Sequence, residues 1–307
     1  MSRHPLIYAL AGPTASGKTA SSVWLARQLN AEIINVDSAL IYKHMDIGTA
    51  KPGFEERGGV LHHLIDIVEP WQSYSVADFL DDCQKKITAI HARGRRVLLV
   101  GGSMMYFKAL IEGISSLPET DHDIRDEVCD MATDELVCYL QKHDPETAVR
   151  FNPNDRQRLS RAVEVLKISG IPYSRWLQHS PKIGGLGESI RLVALMPSDR
   201  LNLHRRIERR FKLMLNSGFL DEVKRLMAMP QMHKELPSMR SVGYRQAWQY
   251  LEGDGDYDLF FNKAVAATRQ LAKRQLTWIR NWPFAIERVS VDENPDSERL
   301  LAVFMAK

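Results

Sequence analysis

The sequence is short of the features that would send a chain to a membrane, to an oxidising compartment or to a structural metal. Among 307 residues only three are cysteine: Cys83, Cys129 and Cys138. They are scattered, with no CxxC pair. That argues against a disulfide framework and against a zinc site, and it fits a reduced, cytoplasmic protein. No run of 18 apolar residues occurs, so no segment is long enough to cross a bilayer as a helix. The opening MSRHPLIYALAG has the basic start and short apolar stretch of a signal peptide. A glycine-rich loop follows at once, however, and no cleavage site fits, so Leu6 to Leu10 reads as a first strand. Internal repeats and low-complexity tracts are lacking too. An excess of one charge is nearly absent, at +3 overall, but the charge is unevenly spread. Residues 200–280 carry 16 Lys+Arg against 8 Asp+Glu, a local charge of +8, which leaves about −5 for the remainder. A basic third suits a polyanionic partner; the plainer reading is a solvated helical surface.

What is present is an alternation of short apolar runs and helical patterns. Leu6–Leu10, Ile33–Val36 and Val97–Val100 read as buried strands, and His63–Val68 as a further one. Lys18–Leu29 and Val76–Ala92 read as helices. That order predicts an α/β fold, a parallel sheet flanked by helices. After Gly113 the strand signature stops and helical periodicity runs to about Leu177. It includes the helix of PNDRQRLSRAVEVLKISG, which ends at Gly170. Ile190–Met196 returns to strand, and the chain beyond Arg200 is mostly helix. The expected organisation is therefore a core domain of residues 1–114 and 190–307, with its basic helical C-terminal part. An all-helical insertion of residues 115–189 interrupts it.

Gly12-Pro13-Thr14-Ala15-Ser16-Gly17-Lys18-Thr19 fits G-x-x-x-x-G-K-[ST] at every fixed position and lies between a strand and a helix. The glycines let backbone N–H groups turn toward an anion, and the following helix adds its positive end. Lys18 supplies a mobile charge, and the Thr19 hydroxyl is a ligand for Mg²⁺. The loop does not by itself make an ATPase or a kinase. Those usually also carry an acid at the end of a buried strand, whereas Val97–Val100 runs into Gly-Gly-Ser. The candidate acids are Asp37 and Asp66. Asp37 stands at a strand tip, where α/β proteins place their chemistry; alternatively it caps a helix.

With that loop, the stretches VDSALIYKHMDIGTAKP, HHLIDI, VGGSMMYFKAL, FNPNDRQRLSRAVEV, HRRIERRFKLML, RSVGYRQAW and TRQLAKRQLTWIRNW resemble, in order and over nearly the whole length, the bacterial tRNA dimethylallyltransferases, or tRNA isopentenyltransferases. The resemblance implies a P-loop NTPase-like core with a helical insertion, and a loop that holds dimethylallyl diphosphate rather than ATP. The prenyl group would pass to N6 of the adenosine just 3′ of the anticodon, position 37, with diphosphate as the leaving group. Asp37 matches the family's general base. Lys18, the loop from Gly12 to Thr19 and Arg210 match diphosphate-binding groups, with Mg²⁺ near Thr19. Ser103 matches a threonine that contacts the substrate nucleotide. The tRNA contacts carried over are Asp37, Ser38, Ala39 and Leu40; Ser103; Arg125; Gln157, Arg158, Leu159, Ser160 and Arg161; Arg240, Ser241, Val242, Gly243, Tyr244 and Arg245; and Arg269, Lys273, Arg274 and Arg280. The partners implied are the tRNA anticodon stem-loop, whose target base would be flipped out, and dimethylallyl diphosphate; a monomer is expected. Leu40 departs from the glutamine common in the family, and no C-terminal zinc finger is present. Met104, Met105, Tyr106 and Phe107 are either prenyl-pocket lining or core.

Two helices carry further expectations. From Arg200 to Leu215, Leu203, Ile207, Phe211 and Met214 share one face, with Arg206 and Arg210 at its edge. From Asp256 to Arg280, a stripe of Phe260, Ala264, Ala267, Leu271 and Trp278 is expected to face the core. Arg269, Lys273 and Arg280 would then lie opposite, as a track for a phosphate backbone. Two alternatives remain at this point: a P-loop nucleotide or small-molecule kinase, and a non-enzymatic RNA-binding protein.

Overall fold

The structure, a computed structural model, describes residues 7–291 and 295–306. Leu6 and the basic start before it lie outside the described residues. The chain divides into two compact units, Met1–Ile111 with Leu186–Lys307, and Glu112–Gly185.

In the first unit, β1 (Ile7–Ala11) leads through the glycine-rich loop into α1 (Lys18–Gln28) and β2 (Ala31–Val36). There follow β3 (His62–His63), α2 (Val76–Ala92), β4 (Arg96–Gly101) and α3 (Met104–Glu112). The second unit holds β5 (Ile114–Ser115), α4 (His122–Asp130), α5 (Thr133–His143), α6 (Pro145–Arg150), α7 (Arg156–Ser169), α8 (Tyr173–His179) and β6 (Lys182–Ile183). It is helical apart from β5 and β6, which pair antiparallel, a feature that the expectation of helix alone left out. The chain returns through β7 (Ile190–Pro197), α9 (Arg200–Asn216), α10 (Phe219–Met227), α11 (Tyr244–Leu251), α12 (Tyr257–Arg280), β8 (Glu287–Val291) and α13 (Ser297–Met305).

Six strands form one parallel sheet in the order β3-β2-β4-β1-β7-β8. β1 is buried along its whole length and β4 is apolar after Arg96, as suits strands with helices on both faces. Tyr8, Leu10, Leu98, Val193 and Leu195 share a cluster with Val23 and Leu25 of α1 and Leu300 and Phe304 of α13. A second cluster joins α9, α10, α11 and α12 to the segment after β2 through Ile41, Tyr42 and Met45. The third strand is shorter than the expected His63–Val68. Leu64 and Asp66 adopt positive φ (58° and 56°), which breaks the pleat directly after His63.

Two tight spots fix the strand tips beside the loop. A Cβ on Gly101 would lie 1.8 Å from Val36 O, so only glycine lets β4 end against β2 there. A Cβ on Gly48 would lie 2.2 Å from the Phe219 ring and 2.6 Å from that of Tyr244. The backbone around Gly48 is held by the buried Glu222 of α10. Its carboxylate accepts from the amides of Asp46 (2.9 Å), Ile47 (2.7 Å) and Gly48 (3.1 Å) and from the Tyr244 hydroxyl (2.5 Å). Burial, followed by the charge of Glu222, pushes the Tyr244 phenol far above its usual pKa, so it stays a donor. A glutamine in place of Glu222 cannot satisfy four donors. Glu222→Gln is expected to lower the unfolding free energy by about 2–4 kcal/mol. Denaturant titration checks this, and a loss below about 0.5 kcal/mol would show that the segment does not depend on the carboxylate.

Candidate functional site

The tips of β2 and β4, the loop before α1 with the start of that helix, and helices α9, α11 and α12 enclose one cavity. Its lining includes Thr14, Ala15, Lys18 and Thr19 of the loop, and Asp37, Ala39 and Leu40 after β2. It also includes Gly48, Thr49 and Ala50, Arg210 of α9, the stretch Ser241–Tyr244, and Leu271 and Gln275 of α12.

The loop has the backbone of an anion cradle. Gly17 has φ 88° and Ala15 φ 60°, so successive peptides turn inward, and Lys18 opens α1. Gly12 is confined: a Cβ there would meet Ser16 Oγ at 3.0 Å and Leu195 Cβ at 3.2 Å. Ser16 Oγ is buried with no protein partner. Lys18 folds back along the loop and donates to Gly12 O (2.8 Å) and Pro13 O (2.6 Å). Burial strips water from its ammonium and lowers its pKa from 10.5 to about 7; Asp37 opposes this shift and Arg210 adds to it.

Arg210 reaches the same loop from α9, the helix whose inner face is built from the buried Leu203, Ile207 and Phe211. It donates to Thr14 Oγ1 and to Thr49 O, both at 3.3 Å. Its own burial lowers its pKa while Asp37 and Glu56 oppose. Asp37 is half-buried. Its Oδ1 accepts from the Ala39 amide (2.9 Å), so it caps a local turn and no helix follows. Asn35 ties the same tip down, donating to Asp37 O and Leu64 O, both at 3.1 Å. Ser103 sits across from it: its Oγ accepts from the Ser38 amide (3.1 Å), and its own amide donates to Val36 O (3.2 Å).

The remaining sequence-derived positions separate into groups. Ser241, Val242, Gly243 and Tyr244 line the cavity, while Arg240 and Arg245 are exposed. In the second unit Arg125, Gln157 and Arg158 are exposed. Ser160 is half-buried, and Leu159 is packed into that unit's own apolar core with Val128, Leu136 and Val163, which corrects its assignment to an RNA contact. Arg161 is engaged internally, with Glu164 at 3.0 Å and Pro118 O at 2.8 Å. Met104, Tyr106 and Phe107 are buried and none of them lines the cavity; they are core.

The expected face of α12 is also corrected. Its buried residues are Phe260, Ala264, Val265, Ala272, Leu276 and Ile279, a stripe turned by roughly 90° from the one read in sequence. Trp278 is exposed and stands by Trp282 (6.5 Å between rings). Arg269 is drawn against α9, bonded to Glu208 at 3.2 Å, whereas Lys273, Arg274 and Arg280 are exposed. Two residues missed in the sequence are Gln275 and Thr49, whose parts emerge only from their tertiary partners. Gln275 accepts from the Thr14 amide (2.8 Å) and donates to Gly102 O (3.0 Å).

Sequence and structure comparisons agree on one family. The IPP transferase family matches residues 40–282. A tRNA dimethylallyltransferase of Francisella tularensis subsp. tularensis is 54% identical over 303 residues, covering 97% of this chain and 98% of the relative. The solved tRNA isopentenylpyrophosphate transferase of Bacillus halodurans is 35% identical with a TM-score of 0.71, over 98% of this chain and 94% of its own. A eukaryotic dimethylallyltransferase solved while acting on tRNA is 25% identical with a TM-score of 0.82, over 97% and 78%. The family match runs from Leu40, just after β2, to Trp282, just past α12, and the relatives cover nearly the whole chain, which sets aside the kinase alternative: the chain belongs to the IPP transferase family and is a transferase.

Proposed function

We propose that this chain transfers the dimethylallyl group of dimethylallyl diphosphate to N6 of the adenosine 3′ to the anticodon, position 37, in tRNA, and releases diphosphate. The observation that carries the reading is that Lys18, Arg210 and Asp37 line one cavity whose other wall is apolar. Two cations beside the loop suit a diphosphate. Ile207, Phe211, Met214 and Leu271 on the same lining suit a five-carbon tail and keep water from the allylic carbon. A carboxylate at the strand tip suits the exocyclic amine.

In this reading the chemistry divides between the two sides. The loop amides, Lys18 and Arg210 stabilise the negative charge that grows on the departing diphosphate. Asp37 accepts the proton of the adenine amine as the N–C bond forms. Ser103, fixed against Ser38, offers its hydroxyl to the nucleotide. Among the described residues no group of three His, Cys, Asp or Glu forms a self-sufficient metal cage. The donor set fits Mg²⁺ held by the Thr19 hydroxyl together with substrate oxygens and water. Such an ion supplies charge neutralisation on the diphosphate. The tRNA anticodon stem-loop would meet Ser38, Ala39 and Leu40, the Arg240–Arg245 stretch, the exposed side of α7 with Arg125, and the free cations of α12. No helix among the described residues is long and apolar enough to cross a membrane. A cytoplasmic monomer is proposed.

The deciding experiment incubates the protein with unmodified anticodon stem-loop RNA and labelled dimethylallyl diphosphate, with and without ATP. Transfer that needs no ATP is expected; ATP consumption coupled to turnover would overturn the reading. In the same assay Asp37→Ala is expected to keep donor binding and to lose about 10²-fold or more in single-turnover rate. A near-normal rate would leave Asp37 a turn residue only.

Lys18 imposes a pH dependence. A bound anion favours its charged form and raises its pKa above about 7. Diphosphate affinity is therefore full below pH 7 and falls as pH rises above it, by at most about tenfold per pH unit until the bound-state pKa is passed. Calorimetry with inorganic diphosphate from about pH 7 to 9 checks this against Lys18→Arg, whose guanidinium stays charged there and whose profile therefore carries the ligand's own ionisation; identical profiles for the two proteins contradict it. On α12, replacing the exposed Lys273 and Arg280 with Gln is expected to weaken RNA binding. The log–log salt slope should flatten by up to about 0.7 per lost phosphate contact, while donor affinity stays unchanged. Affinities measured over a salt series test this, and superimposable lines for wild type and variant would show that this face meets only water.

A further inference from the structure

Gln275 is a cavity-lining side chain whose two polar atoms bind two different backbone turns, one on each side of the reaction. Its Oε1 accepts from the Thr14 amide in the phosphate loop at 2.8 Å, and its Nε2 donates to Gly102 O in the Gly-Gly-Ser turn at 3.0 Å. The orientation is dictated by the partners. Turned over, the amide would set donor against donor at Thr14 and acceptor against acceptor at Gly102. The fit is close: a Cβ on Gly102 would lie 2.4 Å from Gln275 Nε2. That contact accounts for a glycine at a position where no positive φ demands one.

Each turn carries part of the chemistry. Thr14 Oγ1 accepts from Arg210 at 3.3 Å, which places it on the donor side. Gly102 precedes Ser103, whose Oγ accepts from the amide of Ser38, the residue after Asp37, which places it on the acceptor side. An unbroken run of hydrogen bonds and peptide links thus joins Arg210, Thr14, Gln275, Gly102, Ser103 and Ser38.

We propose that Gln275 is a positioning residue that locks the phosphate loop to the Gly-Gly-Ser turn and so fixes the spacing between the donor's reacting carbon and the acceptor amine. The inference rests on the prenyl-transfer reading above. A residue of this kind acts on the approach of two bound substrates rather than on the affinity for either one, because it touches the backbone behind each site. Small misplacements at a reacting pair cost rate steeply.

The test compares wild type, Gln275→Leu, Gly102→Ala and the double variant. Single-turnover transfer is followed at saturating stem-loop RNA and dimethylallyl diphosphate, with equilibrium affinity for each substrate measured separately. Gln275→Leu keeps the size and removes both hydrogen bonds. Gly102→Ala pushes the amide aside from the opposite direction; its other close neighbour, Gly12 O at 3.2 Å, is only a tight contact. Each single variant is expected to lose about 10- to 100-fold in saturated rate, with both affinities within about threefold of wild type. The double variant should lose no more than the worse single, because both changes break the same link. A wild-type rate in Gln275→Leu, a loss confined to the affinity for one substrate, or losses that multiply in the double variant would overturn the inference. If Gln275→Leu does not fold, Gly102→Ala alone decides through the same split between rate and affinity. A wild-type protein that transfers no prenyl group would bring down the functional reading and this inference with it. Transfer by wild type at a rate that Gln275→Leu equals would bring down the inference alone.

Discussion

One half-buried ammonium group, folded onto its own loop at the cavity wall, organises this site. Lys18 sits at the head of α1 with its charge turned onto the carbonyls of its own loop, and burial holds its pKa near 7 instead of 10.5. A desolvated cation is costly without an anion and valuable with one. The surroundings reinforce that bias. Arg210 adds a second positive charge, the loop turns its amides inward, and Asp37 is the lining carboxylate whose charge favours both cations. A diphosphate entering here meets preorganised charge, the condition under which electrostatic stabilisation of a leaving group is most effective.

The sheet supplies the rigidity this needs. Asp37 is carried at the tip of β2, and the Gly-Gly-Ser turn at the tip of β4, because Gly101 lets the two strands close to a separation that any Cβ would block. On the other side Glu222 gathers three consecutive amides and the Tyr244 hydroxyl, and so fixes the Gly48–Ala50 segment whose Thr49 carbonyl steadies Arg210. Donor and acceptor sides are thus anchored in separate parts of the fold. What remains between them is a gap that side chains must span.

Local features of this arrangement were legible in the sequence. The strand–loop–helix at residues 7–28, the helix Val76–Ala92 and the returning strand at Ile190 declare themselves through apolar runs, glycine and caps. The phosphate loop, Asp37 at its strand tip and Arg210 at the edge of its helix could be named before any coordinates. Features that depend on a partner could not. Glu222 and Gln275 look like ordinary helix-surface residues until α10 and α12 are packed. The sequence of α12 holds two apolar stripes, and only packing against α9 and α11 selects the one through Val265, Ala272, Leu276 and Ile279. The last strand, Glu287–Val291, escaped notice because it is short, lies at the sheet edge and exposes alternate residues. The helical pattern around Leu159 is clear, but that Leu159 packs into that unit's own core emerges only with its partners Val128, Leu136 and Val163.

The central claim is that Lys18 is held poorly charged until an anion arrives. The most direct measurement follows the Lys18 side chain by NMR in protein labelled at its lysine ε-carbons, titrated with and without inorganic diphosphate, with Lys18→Arg used to assign the resonance. The account predicts a free-protein midpoint near pH 7 that moves upward when diphosphate is bound. A midpoint near 10.5 in the free protein, unmoved by diphosphate, would contradict it.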